Sequence, residues 1–198
     1  MFAMPPATRA LVLINVAVFL LQQVPGLGDW LVSEFALWPL HNERFHPWQL
    51  ITYAFLHGNF VHIFFNMFAL FMFGRALESY WGARRMVTYF LVCVLAAGLT
   101  QLAVQGAGGA GEETIGASGG VFGVLLAFAW YFPRQRLFII PIPIPIPAWL
   151  FVTGYALVEL FYGVTGREQG VAHFAHLGGL LGGALCILYW RALRRFAA

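Results

Sequence analysis

Charged residues are scarce in this sequence, and that scarcity indicates the class of protein before any motif is considered. Only 10% of the 198 residues are charged, and all eleven basic residues are arginine, because the chain contains no lysine. An ordinary soluble protein carries about 25% charged residues. A soluble fold of this length would have too few charges to cover its surface, whereas 61% of the residues are hydrophobic. We therefore interpret the chain as a polytopic membrane protein.

Cysteine and aspartate are also nearly absent, and each shortage excludes a class of chemistry. The two cysteines, Cys93 and Cys186, lie inside apolar runs, so neither a disulfide framework nor a thiolate metal cluster is expected. The only aspartate, Asp29, lies outside the apolar segments, which excludes an intramembrane protease that works through two aspartates. The arginines do not cluster with aromatic residues, so no nucleic-acid partner is expected.

Six apolar segments approach or reach the length of about 20 residues that a membrane-spanning helix needs. These segments are residues 9–24, 60–77, 86–104, 116–132, 147–164 and 171–190. Residues 25–59 are too polar to span and rich in aromatic side chains, which predicts a structured loop in the membrane interface. The alternating Ile-Pro repeat at 140–147 predicts an extended linker. The sequence thus predicts one all-α domain of six transmembrane helices over residues 1–198.

The arginines also predict the orientation of these six segments. If the N-terminus is inside, nine arginines lie on the inner side and only Arg44 and Arg167 lie outside. The positive-inside rule therefore predicts that both termini are cytoplasmic. Short tails without a eukaryotic targeting signal favour a bacterial inner (plasma) membrane. On the inner side, Glu78 is expected to form an exposed ion-pair cluster with Arg84 and Arg85.

A few polar side chains within the predicted spans share one depth. His62 and Asn66 lie in the second segment, Ser118 in the fourth and His176 in the sixth. The even-numbered segments all run from outside to inside, and these residues lie within their first two turns. At 1.5 Å of rise per residue they are expected roughly 5–10 Å below the outer surface. Because a polar group in a span is costly, this convergence predicts a functional site.

The residue types at this depth suit nucleophilic catalysis. A serine hydroxyl becomes an effective nucleophile when a histidine accepts its proton. Ser118 near a helix N-terminus also has free backbone N–H groups nearby that can stabilise an oxyanion. Two small-residue faces, Gly119–Gly123 and Gly179–Gly183 at four-residue spacing, allow the fourth and sixth segments to pack closely. This packing would bring Ser118 within hydrogen-bond reach of His176.

Three motifs in order make the sequence resemble the rhomboid family of intramembrane serine proteases, over the six-helix core that is nearly the whole chain. The motifs are His62-Ile63-Phe64-Phe65-Asn66, Gly116-Ala117-Ser118-Gly119, and Ala175-His176 followed by Gly179 and Gly183. The resemblance implies that Ser118 is the nucleophile and His176 the general base. It further implies an oxyanion hole formed by the Ser118 amide, His62 and Asn66. The family's dyad has no carboxylate, which agrees with the absence of an acid beside His176 in the sequence.

By this resemblance the protein is an endopeptidase that cleaves transmembrane substrate helices near the outer membrane face, without a cofactor. Its partners would be membrane-protein substrates and the lipid bilayer, and the sequence indicates no oligomeric state. The fifth segment ends in a gate loop, residues 163–170, whose glycines permit hinge motion, so this helix is the candidate gate for substrate entry. The resemblance implies that the loop caps the site. The residues expected to shape the site are Gly116, Gly119, Phe122, His173, Gly179 and Gly183.

The sequence departs from the family pattern at three positions. Gln49 follows Trp48 where the family has arginine, so an arginine contact that orders the first loop is missing. Phe122 occupies a position where some members have tyrosine; it can pack on the catalytic imidazole but cannot form a hydrogen bond. His173 stands near the dyad where other members carry different polar residues.

Two alternatives belong to other functional classes. A metal enzyme or metal transporter would use the histidines as ligands, but there is no HExxH motif and no carboxylate partner at ligand spacing. The histidines concerned are His57, His62, His173 and His176. The second alternative is a catalytically silent rhomboid-like scaffold that binds membrane clients. Glu159, about 18 Å from the inner end of the fifth segment, either faces a cavity between the second and fifth segments or makes a structural hydrogen bond.

Overall fold

The computed structural model of the chain describes residues 4–106, 112–139, 142–166 and 171–196, and the fold of these residues is mostly helical. The helices are α1 (Pro6–Gln22), α2 (Leu27–Phe35), α3 (Gln49–Thr52), α4 (Phe60–Ala69), α5 (Arg75–Trp81), α6 (Ala83–Gly106), α7 (Ser118–Tyr131), α8 (Ala148–Thr165) and α9 (His173–Phe196). A π-helical turn, Leu70–Gly74, joins α4 to α5 into one continuous apolar helix. Part of the predicted gate loop, residues 167–170, lies outside the described residues.

Each of the six apolar segments overlaps a helix, and the second segment overlaps the continuous helix formed by α4 and α5. Among the described residues, four helices are long and apolar enough to cross a membrane: Phe60–Trp81, Ala83–Gly106, Ala148–Thr165 and His173–Leu193. The other two apolar helices are shorter, since α1 has 17 residues and α7 has 14. Their lengths are therefore about 25 Å and 21 Å at 1.5 Å per residue.

The loop between α1 and α4 is held together by the side chain of Gln49, which is fully buried. Its Oε1 accepts hydrogen bonds from the backbone N–H groups of Trp38 and His46, at 3.3 and 3.1 Å. Its Nε2 donates to the carbonyl oxygens of Glu34 and Arg44, at 3.1 and 2.7 Å. The arginine contact of the family is thus replaced here by hydrogen bonds of Gln49. An amide both donates and accepts, so one glutamine satisfies four backbone groups.

Glu78 is buried and does not form the exposed ion-pair cluster expected with Arg84 and Arg85. Its carboxylate accepts hydrogen bonds from the backbone N–H groups of Ala7 and Thr8 at 2.8 and 2.6 Å, and from the Thr8 hydroxyl at 2.7 Å. These N–H groups belong to the first turn of α1, where the helix supplies no acceptors and the helix dipole favours a negative charge. Glu78 thus caps a neighbouring helix.

Within the predicted extended linker, Ile142–Pro147 is extended as expected, and it also pairs with a second strand. Strand β1 (Arg136–Ile139) pairs antiparallel with β2 (Ile142–Pro147), with Arg136 opposite Pro147. Proline has no N–H to donate, so it is tolerated only where a strand has a free edge. A two-stranded ribbon provides such an edge, and every second residue of β2 is an isoleucine that keeps its N–H.

Helices α6, α7 and α9 pack at short range because glycines occupy the contact points between them. A Cβ atom added at Gly179 of α9 would overlap the carbonyl oxygen of Gly119 in α7. A Cβ atom added at Gly119 would overlap the Cβ of Ala97 in α6. Small residues of this kind permit close helix approach in membranes, where burial of apolar surface provides little driving force.

The second glycine of each small-residue face contacts α6. A Cβ atom at Gly123 would overlap the side chain of Cys93, and one at Gly183 would overlap the hydroxyl of Tyr89. The Tyr89 hydroxyl donates a 2.8 Å hydrogen bond to the carbonyl oxygen of Gly123. Helix α6 therefore holds α7 and α9 together from one side.

The hydrogen bonds of Gln49 predict a specific loss of stability. Substitution Gln49→Ala removes four hydrogen bonds to the backbone, although the Glu34 carbonyl oxygen keeps a 3.0 Å hydrogen bond from Trp48 Nε1. We expect this loss to lower the free energy of unfolding by about 2 kcal/mol. The matched control is Gln23→Ala, since Gln23 is exposed and makes one hydrogen bond within its own helix. This control should change stability by less than about 0.5 kcal/mol. Equal stabilities of the two variants in detergent would contradict the role of Gln49.

The contact between Gly119 and Gly179 predicts that adding a single methyl group at Gly179 would push α7 and α9 apart. We expect Gly179→Ala to lower the free energy of unfolding by about 1–3 kcal/mol, because the added Cβ has no space. Gly154→Ala in α8 is the control, since a Cβ atom there meets nothing within 4 Å. That control should be neutral or slightly stabilising. Thermal unfolding of both variants in the same detergent makes the comparison, and an unaffected Gly179→Ala would refute the close packing.

Candidate active site

Ser118 is the first residue of α7, and the turn before it is fixed by Gly116. Gly116 has a φ of +124°, which favours glycine, and a Cβ atom there would lie 2.7 Å from Cε1 and Nε2 of His62. The Gly116 N–H donates a 2.9 Å hydrogen bond to the carbonyl oxygen of Tyr53. The turn is therefore tied to the ordered first loop. It places Ser118 at a helix end where the first N–H groups have no partner within the helix.

His176 of α9 lies beside this serine. Its Nε2 is 2.7 Å from the Oγ of Ser118, and the residue is 8% exposed. The ring of Phe122 stacks on the imidazole, with the ring centres 4.4 Å apart and the planes 8° from parallel. The stacking limits rotation of the imidazole, so the contact with Ser118 is maintained. The structure thus brings together Ser118, His176 and Phe122 from the predicted site.

A carboxylate that the sequence analysis did not assign to the site lies on the other side of His176. Oε2 of Glu159 in α8 is 2.9 Å from Nδ1 of His176 and 2.7 Å from Nδ1 of His173. The expectation that no acid lies beside His176 is therefore wrong. A signal was present: Glu159 lies six residues before the C-terminal end of α8, or about 9 Å from that end, which in the predicted threading is the depth of the other site residues.

His62 and Asn66 lie one turn apart on α4, next to the Ser118 turn. Asn59 caps this helix, because its Oδ1 accepts a 2.9 Å hydrogen bond from the His62 N–H. The His62 ring packs against Gly116, and its Nδ1 accepts from the Gly58 N–H at 3.5 Å. This contact favours a proton on Nε2, the nitrogen that faces Gly116. Asn66 is buried and donates through Nδ2 to the His62 carbonyl oxygen at 2.9 Å. An amide NH₂ group carries two hydrogens, and this bond uses only one of them.

His57, at the end of the first loop, packs against the ring of His62. The two rings are in edge-to-face contact with centres 5.0 Å apart. Burial lowers the pKa of His57 to about 3, and the neighbouring His62 adds to this decrease. His57 is therefore neutral at physiological pH. It adds no positive charge that would compete with a proton on His62.

One group of these residues also has the composition of a metal site. The ligand atoms of Glu159, His173 and His176 lie within 4.8 Å of one another, and two histidines with a glutamate are a ligand set that zinc accepts. The argument that the intramembrane histidines have no carboxylate partner is thus wrong. The separations of 2.7 and 2.9 Å are hydrogen-bond lengths. A metal ion would have to displace the protons of both Nδ1 atoms.

Comparison with known proteins assigns the chain to a family. A family model described as the Rhomboid domain matches residues 44–192. Rhomboid protein 1, mitochondrial, of Saccharomyces cerevisiae is 31% identical over 187 residues, which cover 89% of this chain and 51% of that protein. Rhomboid protease GlpG of Klebsiella pneumoniae is 27% identical over 178 residues, covering 84% of this chain and 61% of the relative. Presenilin-associated rhomboid-like protein, mitochondrial, of Rattus norvegicus is 29% identical over 183 residues, covering 90% and 47%.

The chain thus spans about half to three fifths of the length of these relatives. The matched region contains every helix that contributes to the candidate site, from α4 to α9. It amounts to 149 of the 198 residues, counted from 44 to 192. Together with the long apolar helices, the match shows an integral, multi-pass membrane protein that belongs to the rhomboid family.

Proposed function

We propose that this protein is an intramembrane serine endopeptidase that cleaves transmembrane substrate helices near the outer membrane face without a cofactor. The observation that carries the proposal is the 2.7 Å contact between Ser118 Oγ and His176 Nε2 inside an apolar helix bundle. A serine next to a histidine at this distance is the arrangement that nucleophilic catalysis requires. The relative named Rhomboid protease GlpG supports the same activity.

In the proposed reaction, His176 Nε2 accepts the Ser118 hydroxyl proton while Oγ forms a bond to the carbonyl carbon of the scissile peptide. The carbonyl π electrons move onto its oxygen, which becomes the oxyanion. When this intermediate collapses, the C–N bond breaks and the leaving nitrogen takes the proton from His176. The acyl-enzyme at Ser118 is then hydrolysed by a water molecule that His176 activates in the same way, which regenerates the free serine.

The oxyanion would be stabilised by the Ser118 backbone N–H together with the side chains of His62 and Asn66. Three observations support this role: Ser118 begins a helix, the His62 ring adjoins Gly116, and Asn66 lies one turn further along α4. N–H groups at a helix start are aligned with the helix dipole, which favours a developing negative charge. Gly116, Gly119, Phe122, His173, Gly179 and Gly183 would shape the site around these groups.

For the membrane arrangement we propose six spans, with α1 and α7 as the two short ones and both termini cytoplasmic. The arginine distribution supports this orientation. A short α7 fits the function, since a helix that starts below the outer surface leaves space above Ser118 for water. The bacterial plasma membrane stays a prediction, because the relatives include bacterial and mitochondrial proteins. The single domain over residues 1–198 also stays a prediction.

Helix α8 is the proposed gate for a substrate that approaches from the lipid. It is the least buried of the four long apolar helices. Its exposed side chains are large and apolar, and they include Trp149, Leu157, Phe161 and Val164. A helix with few internal contacts requires less free energy to move than a central one. Lateral displacement of α8 would therefore open a path between the lipid and Ser118.

The nucleophile and base can be tested by removing each in turn. We expect Ser118→Ala and His176→Ala each to lower kcat by about 10⁴-fold or more, because either loss removes the same proton-transfer step. Cleavage of a fluorescently labelled single-span membrane protein, followed on a gel, and labelling by a fluorophosphonate probe measure the activity. The controls are Ser79→Ala and His41→Ala, at exposed positions outside the site, which should keep wild-type activity.

Folding of each variant is checked by circular dichroism and gel filtration. Substantial turnover by a folded Ser118→Ala protein would refute the serine-protease mechanism. Absence of both labelling and cleavage in the wild-type protein would favour the alternative, a rhomboid-like scaffold that binds membrane clients without cutting them.

Asn66 offers a test that separates transition-state stabilisation from packing. We expect Asn66→Ala to lower kcat by about 10²–10³-fold with little change in KM, since removal of one oxyanion donor has this effect. Asn15→Ala is the matched control, because Asn15 is also buried and its Nδ2 makes the same type of hydrogen bond, to Leu11 O at 2.7 Å. Both variants should lose similar stability, but only Asn66→Ala should lose kcat.

His62→Ala should have a milder effect on kcat, because the Ser118 amide and Asn66 remain. If Asn66→Ala is destabilised yet keeps the kcat of wild type per folded molecule, the oxyanion assignment is wrong and Asn66 serves packing alone.

A further inference from the structure

Glu159 is a buried carboxylate on the proposed gate helix, and its Oε2 atom forms hydrogen bonds with two histidines of α9. We propose that Glu159 is a positioning residue for His176, so that the site is a serine–histidine–glutamate triad in which His173 holds the glutamate from the far side. This inference rests on the proposed protease function. It adds a residue to the two-residue mechanism that the family resemblance implies.

The first support is the protonation state that the geometry imposes on His176. An ionised carboxylate can only accept hydrogen bonds, so Nδ1 of His176 must donate to Oε2 of Glu159. A neutral imidazole with its proton on Nδ1 has a free electron pair on Nε2. That nitrogen lies 2.7 Å from Ser118 Oγ and can accept the hydroxyl proton. Glu159 thereby selects the form of His176 that acts as a base.

The second support is the location of the charge. After His176 takes the serine proton it is a cation, in a part of the protein where little water is available to stabilise it. The Glu159 carboxylate lies 2.9 Å from the opposite nitrogen of the same ring. Its attraction is strongest when His176 is charged, which occurs during bond formation and not in the resting enzyme. Such an interaction raises kcat and leaves substrate binding unchanged.

The third support is the way His173 is bound. Its Nδ1 contacts the same Oε2 atom of Glu159 at 2.7 Å, while its Nε2 is buried without a hydrogen-bond partner among the described residues. The ring also packs against Tyr162 of α8. The polar contact of His173 is therefore with Glu159. Two donors on one oxygen fix the position of the carboxylate, so His173 acts on catalysis through Glu159.

The principal test replaces Glu159 by residues of similar size. Glu159→Leu removes charge and acceptor, whereas Glu159→Gln keeps an acceptor oxygen and removes only the charge. We expect Glu159→Leu to lower kcat for the labelled membrane-protein substrate by about 10²–10⁴-fold with little change in KM. Glu159→Gln should lie between Glu159→Leu and wild type. Glu43→Leu, the same exchange at an exposed glutamate of the first loop, is the control that should keep wild-type kcat.

A spectroscopic measurement separates positioning of His176 from mere support of the fold. In protein labelled with ¹⁵N-histidine, the His176 signals, assigned by comparison with His176→Ala, report which ring nitrogen carries the proton. We expect the proton on Nδ1 in wild type and on Nε2, or shared between both nitrogens, in Glu159→Leu. If folded Glu159→Leu keeps kcat within twofold of wild type, or leaves the proton on Nδ1, the triad is refuted.

A double variant tests whether His173 acts through Glu159. We expect His173→Leu alone to lower kcat less than Glu159→Leu does. The combination of both substitutions should be no slower than Glu159→Leu, because residues that act as one unit are not additive. A product of the two separate losses would mean that His173 acts independently, which would overturn its part of the proposal.

Two further measurements distinguish the possible failures. Wild-type activity should survive treatment with EDTA, and its loss, restored by zinc, would replace the triad by a metal site on the same three side chains. Fluorophosphonate labelling of Ser118 in wild type decides the protease function separately. If wild type is labelled and Glu159→Leu is labelled at the same rate, only the role of Glu159 fails. If wild type is not labelled, the proposed function itself fails.

Discussion

The contact between the backbones of α7 and α9 is the constraint on which the candidate site depends. Gly179 leaves no space between itself and the carbonyl oxygen of Gly119. Ser118 directly precedes Gly119, and His176 lies three residues before Gly179 on the same face of α9. The 2.7 Å separation of Oγ and Nε2 is therefore set by two packed helices and not by a flexible loop. Groups held by rigid elements keep a reactive geometry better than groups on loops.

Buried polar side chains form the other connections of the fold, each by satisfying groups that lipid cannot satisfy. Glu78 joins α5 to the start of α1, and Gln49 joins distant parts of the first loop. Glu159 joins α8 to α9. An unpaired polar group in a membrane interior costs several kcal/mol, so each of these residues favours one arrangement of its neighbours. Since α8 is also the proposed gate, the carboxylate that positions His176 lies on the helix that a substrate must pass.

The sequence predicts features that follow from periodicity, length and depth, and it does not predict long-range pairings. The six apolar segments and the grouping of Ser118 with His176 follow from helix parity and rise, and the structure places these two residues together. The partners of Glu78, Gln49 and Glu159 depend on which helix faces which, and this is decided by packing. Charge alone suggested that Glu78 would pair with nearby arginines, yet the unsatisfied N–H groups of α1, seventy residues away, bind it. The pairing of β2 with β1 was not predicted for a similar reason: the prolines of β2 indicate an extended segment but do not indicate which strand it pairs with.

The charged and polar groups around Ser118 complement the charges that develop in the proposed reaction. Attack on a peptide carbonyl creates a positive charge on His176 and a negative charge on the carbonyl oxygen. The carboxylate of Glu159 lies on the Nδ1 side of His176, away from Ser118. On the side of Ser118 toward α4 lie His62 and the neutral His57. In the proposed mechanism, each developing charge would therefore lie beside a group of the opposite polarity that is already oriented. In a medium of low dielectric constant such fixed groups stabilise the transition state more than water does, because they need not reorient.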